Sequence, residues 1–171
     1  MKIGIIGLGR VGSSIAYAML FHPKVDGLVL IDVDANKLDG ELADLLDAKS
    51  ILSPVNFTIS RNDRNELSGC EYIFIAAGFA RKDSSISMDK LMIDNALVID
   101  GIFGQHLLDK SKVYIVSNPY NRLSAYFGTK SCGQVLDAVR EYRKSPPGEW
   151  ILDRKGYTNW GIASECFKVI K

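Results

Sequence analysis

The sequence predicts an α/β fold, a doubly wound and mostly parallel sheet followed by a reduced, mainly helical C-terminal part. Three observations predict it. Short apolar, β-branched runs alternate with segments of helical period from Lys2 to Asn118. The first run ends in a glycine-rich turn, Gly7-Leu8-Gly9-Arg10-Val11-Gly12, which opens the first helical segment. The second run ends in Asp32, 20 residues beyond Gly12. Strands that alternate with helices are joined by right-handed crossovers, so the sheet is parallel and covered on both faces.

Each element follows from its residues. Residues 2–6, Lys-Ile-Gly-Ile-Ile, form a short buried strand. Val11, Ile15, Ala18, Met19 and His22 keep helical spacing up to Pro23, where a helix must stop. Residues 28–31 are the second strand, Leu38, Leu42, Leu45, Leu46 and Lys49 mark the second helix, and residues 55–60 are the third strand. A polar stretch over 61–69 carries no assigned element, and residues 72–77 are the fourth strand. Residues 78–88 are polar and Ser-rich without a period, a loop. Met92, Ala96, Ile99, Phe103 and Leu107 define a long amphipathic helix. Residues 113–116 are the fifth strand, ending at Ser117-Asn118-Pro119. Beyond Gly128 the pattern is less regular: 134–143 is a helical candidate, and Ser145-Pro146-Pro147-Gly148 is a break. Residues 151–170 read as a terminal helix carrying Trp160, Ala163, Phe167 and Ile170. The domain boundaries expected are 1–125 for the sheet unit and 126–171 for the remainder.

Composition bounds the partners. The chain has 171 residues, enough for one α/β domain and short of the two domains most nucleotide-dependent enzymes use. Hydrophobic residues are 47% and charged residues 24%, an ordinary globular composition. Lys+Arg number 21 against 20 Asp+Glu, so the formal net charge of +1 gives no reason to expect nucleic acid or an anionic membrane as partner. Cys70, Cys132 and Cys166 are widely spaced without a CxxC pair or metal-ligand pattern, and read as reduced thiols of a cytoplasmic protein. The glycine-interrupted start is no signal peptide, no apolar run reaches membrane-spanning length, and no metal is expected. Only two histidines occur, His22 and His106.

The glycine turn is G-x-G-x-x-G. Such a turn is common, but here it follows a strand, opens a helix and precedes a second strand ending in an acid, the context of a Rossmann-type dinucleotide site. Gly7 permits the tight turn, Gly9 lets backbone N–H groups approach a pyrophosphate, and Gly12 lets the helix pack near the strand. The helix N-terminus adds partial positive charge for phosphates. Asp32 accepts from the adenosine ribose hydroxyls and repels a 2′-phosphate, which favours NAD over NADP. The alternative reading is a structural glycine turn, with Asp32 capping the following loop.

With these residues placed, the chain resembles the malate/lactate dehydrogenase family, its archaeal malate dehydrogenase branch in particular. The likeness runs from Met1 to about Pro119. It includes Gly40-Glu41-Leu42-Ala43-Asp44-Leu45, Ala77-Gly78-Phe79-Ala80-Arg81-Lys82, similar to the family's A-G-x-x-R-K, and Val116-Ser117-Asn118-Pro119, similar to its V-T-N-P. The resemblance implies an NAD-dependent oxidoreductase that moves a hydride between the nicotinamide and a small 2-hydroxy or 2-keto acid, and a homo-oligomer. The cofactor residues it implies are Gly7, Gly9, Arg10, Val11, Gly12, Asp32, Ala77, Gly78, Asn95, Val116 and Asn118. Arg81 would pair with a substrate carboxylate, favouring malate over lactate, and Asn118 would also reach the substrate. Leu136-Asp137-Ala138-Val139-Arg140 is similar to the family's L-D-S-x-R. There Asp137 would orient the catalytic histidine and Arg140 would bind the substrate carboxylate; an exposed i,i+3 ion pair is the alternative. Residues 155–163 look like a segment far towards the C-terminus of full-length members, with Thr158 near the substrate.

The chain departs from the family in three places. Gly148-Glu149-Trp150 puts tryptophan where the family's G-E-H-G has its proton-donating histidine, only ten positions after Arg140. His22 reads as a helix-boundary or core residue, and His106 as exposed or partly packed. Residues 83–88 lack the second loop arginine, and Asn121 stands where an aspartate is usual. The expectation is a dehydrogenase reduced in its catalytic half. The alternative is a catalytically inactive NAD-binding paralogue with a regulatory or structural role.

Overall fold

The computed structural model describes residues 1–52, 58–62, 64–79, 88–105, 108, 113–117, 122–125, 154–157 and 159–171. Along the chain run β1 (Lys2–Ile6), α1 (Arg10–Met19), β2 (Gly27–Ile31), α2 (Ala35–Leu52), β3 (Thr58–Arg61), α3 (Arg64–Ser68) and β4 (Tyr72–Ile75). They are followed by α4 (Met88–Gln105), β5 (Val113–Ser117), β6 (Arg122–Ala125) and α5 (Trp160–Val169). The strands form a six-stranded sheet in the order β3-β2-β1-β4-β5-β6. The first five are parallel and only β6 runs antiparallel, with Ser117 opposite Arg122. The order turns back between β2 and β4 around β1, so the switch point lies at the end of β1, where the glycine turn begins. Ligands of open parallel sheets bind at such a point.

Alternation along each strand divides the core between the two faces. Ile3 and Ile5 of β1, Leu28 and Leu30 of β2, and Phe74 of β4 share one cluster with Ile15 and Met19 of α1, Leu38 and Leu45 of α2, and Ile162 and Cys166 of α5. Ile6, Val29, Ile73, Ile75, Val113 and Ile115 point to the opposite face, towards Leu67 of α3 and Ile102 of α4. The winding is therefore double, with helices on both faces of the sheet and α5 packed on α1. Each fully buried Ile or Leu contributes about 1.5–3 kcal/mol.

Four differences from the sequence reading have local causes. The polar stretch 61–69 contains α3, five residues long and with Leu67 as the buried side chain among the described ones, too short to give a period. Leu67 sits so close over β1 that a Cβ on Gly4 would lie 2.5 Å from its Cδ1, and Glu66 accepts from Ser60 Oγ at 2.8 Å and Lys2 Nζ at 3.2 Å. The long helix starts at Met88, inside the expected loop. The unassigned β6 is four residues long, and its brevity hides its alternation. Finally, the helix expected over 151–170 is interrupted: Gly156, at φ +77°, and Tyr157 are not helical, α5 begins only at Trp160, and Trp160 is 62% exposed rather than in the apolar stripe.

α1 ends at Met19, before Pro23; i→i+3 bonds, such as His22 N–H to Met19 O at 3.1 Å, carry the turn onward. His22 is buried, its ring 4.5 Å from that of Phe167. Cys70 and Cys166 are buried free thiols, and burial pushes the Cys166 thiol up to about 12; Cys132, His106 and the 134–143 helical candidate lie outside the described residues. Among the described residues no helix is long and apolar enough to cross a membrane.

Candidate functional site

The glycine turn is built by close approach. Gly7 has φ +92°, and a Cβ there would lie 2.5 Å from Ala77 Cα and 2.9 Å from the Ala76 carbonyl carbon; only glycine fits this conformation and this gap. A Cβ on Gly12 would meet the Gly7 carbonyl, with its carbon at 3.0 Å and its oxygen nearer. Gly9 differs: the nearest atom to a Cβ built there is Lys37 Nζ at 3.9 Å, so this side of the turn is open. Gly9 is the N-cap of α1 and no side chain caps the helix, whose first turn carries no acid. The uncapped N–H groups of that first turn and the helix dipole form an anion-favouring end.

Asp32 closes the other side. Its side chain is only 9% exposed. Oδ2 accepts the Leu8 N–H at 2.6 Å and Oδ1 accepts the Asp34 N–H at 3.0 Å. Lys37 Nζ lies 3.7 Å from Oδ2. Burial raises its pKa, but the two backbone donors and the Lys37 charge together outweigh this and hold the carboxyl below its ordinary value. Asp32 therefore stays anionic while tying the end of β2 to the glycine turn. Asp34, and not Asp32, caps the next helix: its Oδ1 accepts the Lys37 N–H at 3.1 Å.

The remaining expected residues differ in what surrounds them. Val11 is half-buried against the core. Asn95 of α4 clamps the chain after β4. Its Oδ1 accepts the Phe79 N–H at 2.5 Å and its Nδ2 donates to Phe79 O at 3.1 Å, beside Gly78, whose added Cβ would lie 2.7 Å from Asn95 Oδ1. Ala77 and Val116 stand at or just past the ends of β4 and β5, half-buried. Arg10 is exposed, with its guanidinium carbon 4.2 Å from the centroid of the Tyr157 ring. Arg81, Asn118, Asp137, Arg140 and Thr158 lie outside the described residues.

The structure adds residues that the sequence reading passed over. Lys37 stands beside both Asp32 and Gly9, five positions beyond the acid and on the first turn of the following helix; that spacing was readable. Lys155 and Asn159, far along the chain, are brought to α1, with Lys155 Nζ 4.4 Å from the Tyr157 centroid. Both lie in the 155–163 segment that resembles the family, but no local signal announces their contact with α1.

The turn fits a dinucleotide on its own geometry: an open cradle over Gly9 that a Cβ would fill, an uncapped helix start, and a buried anion at the end of β2. The comparisons agree. The sequence profile of the lactate/malate dehydrogenase NAD-binding domain matches residues 1–137. An L-lactate dehydrogenase of Moorella thermoacetica is 32% identical over 186 aligned residues, covering 95% of this chain and 58% of its own. A malate dehydrogenase of Archaeoglobus fulgidus is 32% identical over 141 residues, covering 81% of this chain and 47% of its own. The chain thus spans about half the length of the curated relatives it matches. Among solved structures, malate dehydrogenase from Archaeoglobus fulgidus in complex with NADH superposes with a TM-score of 0.67 at 21% identity, covering 100% of this chain and 76% of that one, a likeness of fold.

Proposed function

This chain belongs to the lactate/malate dehydrogenase family through its NAD-binding domain, and we propose that it binds NAD and acts as an oxidoreductase on a small 2-hydroxy or 2-keto acid, malate before lactate. The observation that carries the reading is the Asp32 carboxylate, which accepts the Leu8 N–H at 2.6 Å and so welds the β2 acid to the glycine turn. NAD, when bound, supplies or accepts the hydride. The first turn of α1 and the backbone of Leu8–Gly12 would hold its phosphates, and Asp32 would accept from its ribose hydroxyls. Ala77, Gly78 and Val116, at the ends of β4 and β5, would line its path, with Asn95 holding the Phe79 backbone in place beneath it. Arg81 and Arg140 would bind substrate carboxylates, Asn118 and Thr158 would orient the substrate, and Asp137 would hold the group that gives the proton. The buried free thiols of Cys70 and Cys166 support a cytoplasmic setting. The exposed Leu46, Ile51 and Leu52 of α2 support a homo-oligomer.

A second reading is favoured by His22. It is buried beyond the C-terminal end of α1 against Phe167, at the opposite end of that helix from Gly9, and cannot give a proton at the cofactor turn. With Trp150 in the family's histidine position, the same chain would bind NAD without turnover. Fluorescence titration with NADH, followed by NADH oxidation with oxaloacetate and with pyruvate, separates the two. Saturation with turnover supports the dehydrogenase. Saturation with no rate above a heat-killed control supports the non-catalytic binder. A folded protein that does not saturate at millimolar NADH refutes both.

A further inference from the structure

Asn159 occupies the N-cap position of α5, where an asparagine side chain ordinarily accepts an N–H of the first helical turn. It makes no such bond. Its side chain is turned inward instead, and the residue is 5% exposed. Nδ2 donates to Ser14 Oγ at 2.7 Å, across 145 positions of sequence. Ser14, itself 7% exposed, donates through Oγ to the Arg10 carbonyl at 2.7 Å. On the other side Lys155 Nζ donates to Asn159 Oδ1 at 2.6 Å. Every donor in this series points the same way, from Lys155 through Asn159 and Ser14 into the first turn of α1. Hydrogen bonds aligned in this sense polarise one another, and a charged donor at the head strengthens the series. The turn they reach is the one that begins at Gly9, the glycine on the open side of the turn, and that no side chain caps. Arg10, at its first position, lies against Tyr157, which Lys155 also touches.

We propose that Asn159 is a positioning residue for cofactor phosphate binding: it gives up its own helix cap to fix, through Ser14, the first turn of α1. The proposal rests on the reading of α1 as the phosphate-binding helix. It goes further by placing part of that function in a segment outside the glycine motif and outside the residues matched by the NAD-binding profile. A chain lacking this bond would keep its glycine turn but hold it less firmly, so affinity for NADH would fall while the fold persisted.

Two substitutions test this. Ser14→Ala removes the link to the Arg10 carbonyl and is favourable to a helix. Asn159→Asp keeps the shape and the acceptor for Lys155 but removes the donor to Ser14. In ligand-free protein, hydrogen exchange at the Ser13 and Ser14 amides should quicken at least tenfold in both variants, while the Ile5 amide of β1 exchanges as in the parent. The NADH dissociation constant should rise about tenfold. Unchanged first-turn exchange in folded variants overturns the proposal, as does a uniform acceleration that includes Ile5, which is the signature of a purely structural contact. If Asn159→Asp does not fold, Ser14→Ala alone decides. If the parent itself fails to bind NADH, the proposed function falls and the exchange measurement still judges the positioning role.

Discussion

Two glycines three positions apart should respond differently to the same methyl group, and the difference tests the site. In Gly12→Ala the new Cβ meets the Gly7 carbonyl, with the carbon at 3.0 Å and the oxygen nearer. Neither atom belongs to a side chain that can swing away. Overpacking costs about 1–3 kcal/mol, and a backbone obstacle puts this case at about 3. Alanine in the helix returns about 1, leaving a loss of about 2 kcal/mol. For a chain of this size that is a fall in Tm of about 4–8 °C. Relief of the clash also displaces the turn from α1, so NADH binding should weaken on the order of 100-fold. In Gly9→Ala the backbone has φ −68° and ψ −177°, open to any residue, and the nearest atom to the new methyl is Lys37 Nζ at 3.9 Å. Stability should change by less than about 1 kcal/mol, yet NADH binding should fall at least tenfold because the methyl fills the cradle. Thermal melts with and without NADH, together with fluorescence titrations, read both quantities. A folded Gly9→Ala protein that binds NADH as well as the parent refutes the assignment of the open side to phosphate. An unchanged melt for Gly12→Ala refutes the close approach.

Other outcomes follow from the same coordinates. Burial first and the Lys24 charge second hold His22 below its ordinary 6.5, against a backbone hydrogen bond at Ile170 that acts the other way. Because the folded value is the lower one, this contribution to stability is full above pH 6.5 and is lost as pH falls from there through the folded value. Urea midpoints at pH 8 and pH 5 should differ more for the parent than for His22→Gln; equal differences would contradict the burial argument. With the Cys166 thiol pushed up to about 12 and Cys70 buried, both should resist a thiol reagent in native protein and react on denaturation, as mapped by peptide mass; prompt native labelling of either would refute their packing. Asp32→Ser removes the carboxylate that accepts the Leu8 N–H and leaves a shorter, neutral hydroxyl, lowering the melt. It also removes the charge that repels a 2′-phosphate and leaves Lys37 nearby. The ratio of NADPH to NADH dissociation constants should fall at least tenfold, and an unchanged ratio would show that Asp32 does not set cofactor choice.

Where the sequence was readable, the physics was local. Strand alternation, the spacing from Gly12 to Asp32, and the glycines that a strand–turn–helix needs are all written within about thirty residues of one another, and the parallel sheet follows from them. The residues missed are those whose role is decided by something distant or brief. α3 is too short to have a period, and its single Leu67 matters because β1 presents Gly4 beneath it. β6 is an antiparallel addition of four residues, fixed by pairing with β5 rather than by its own pattern. Asn95, expected as a cofactor residue, makes its two bonds to the Phe79 backbone, a geometry that composition cannot announce. Asn159 is the clearest case. Read locally, an asparagine before a helical stripe is a cap, and local rules stop there. Only when His22 meets Phe167, and when Ile162 and Cys166 enter the cluster that holds Ile15 and Met19, is the register of α5 on α1 set. That register puts Asn159 opposite Ser14. A side chain that forgoes a cap worth about 1 kcal/mol to reach a hydroxyl 145 positions away must be held by the packing around it. The same packing that stabilises the sheet therefore aims the first turn of α1.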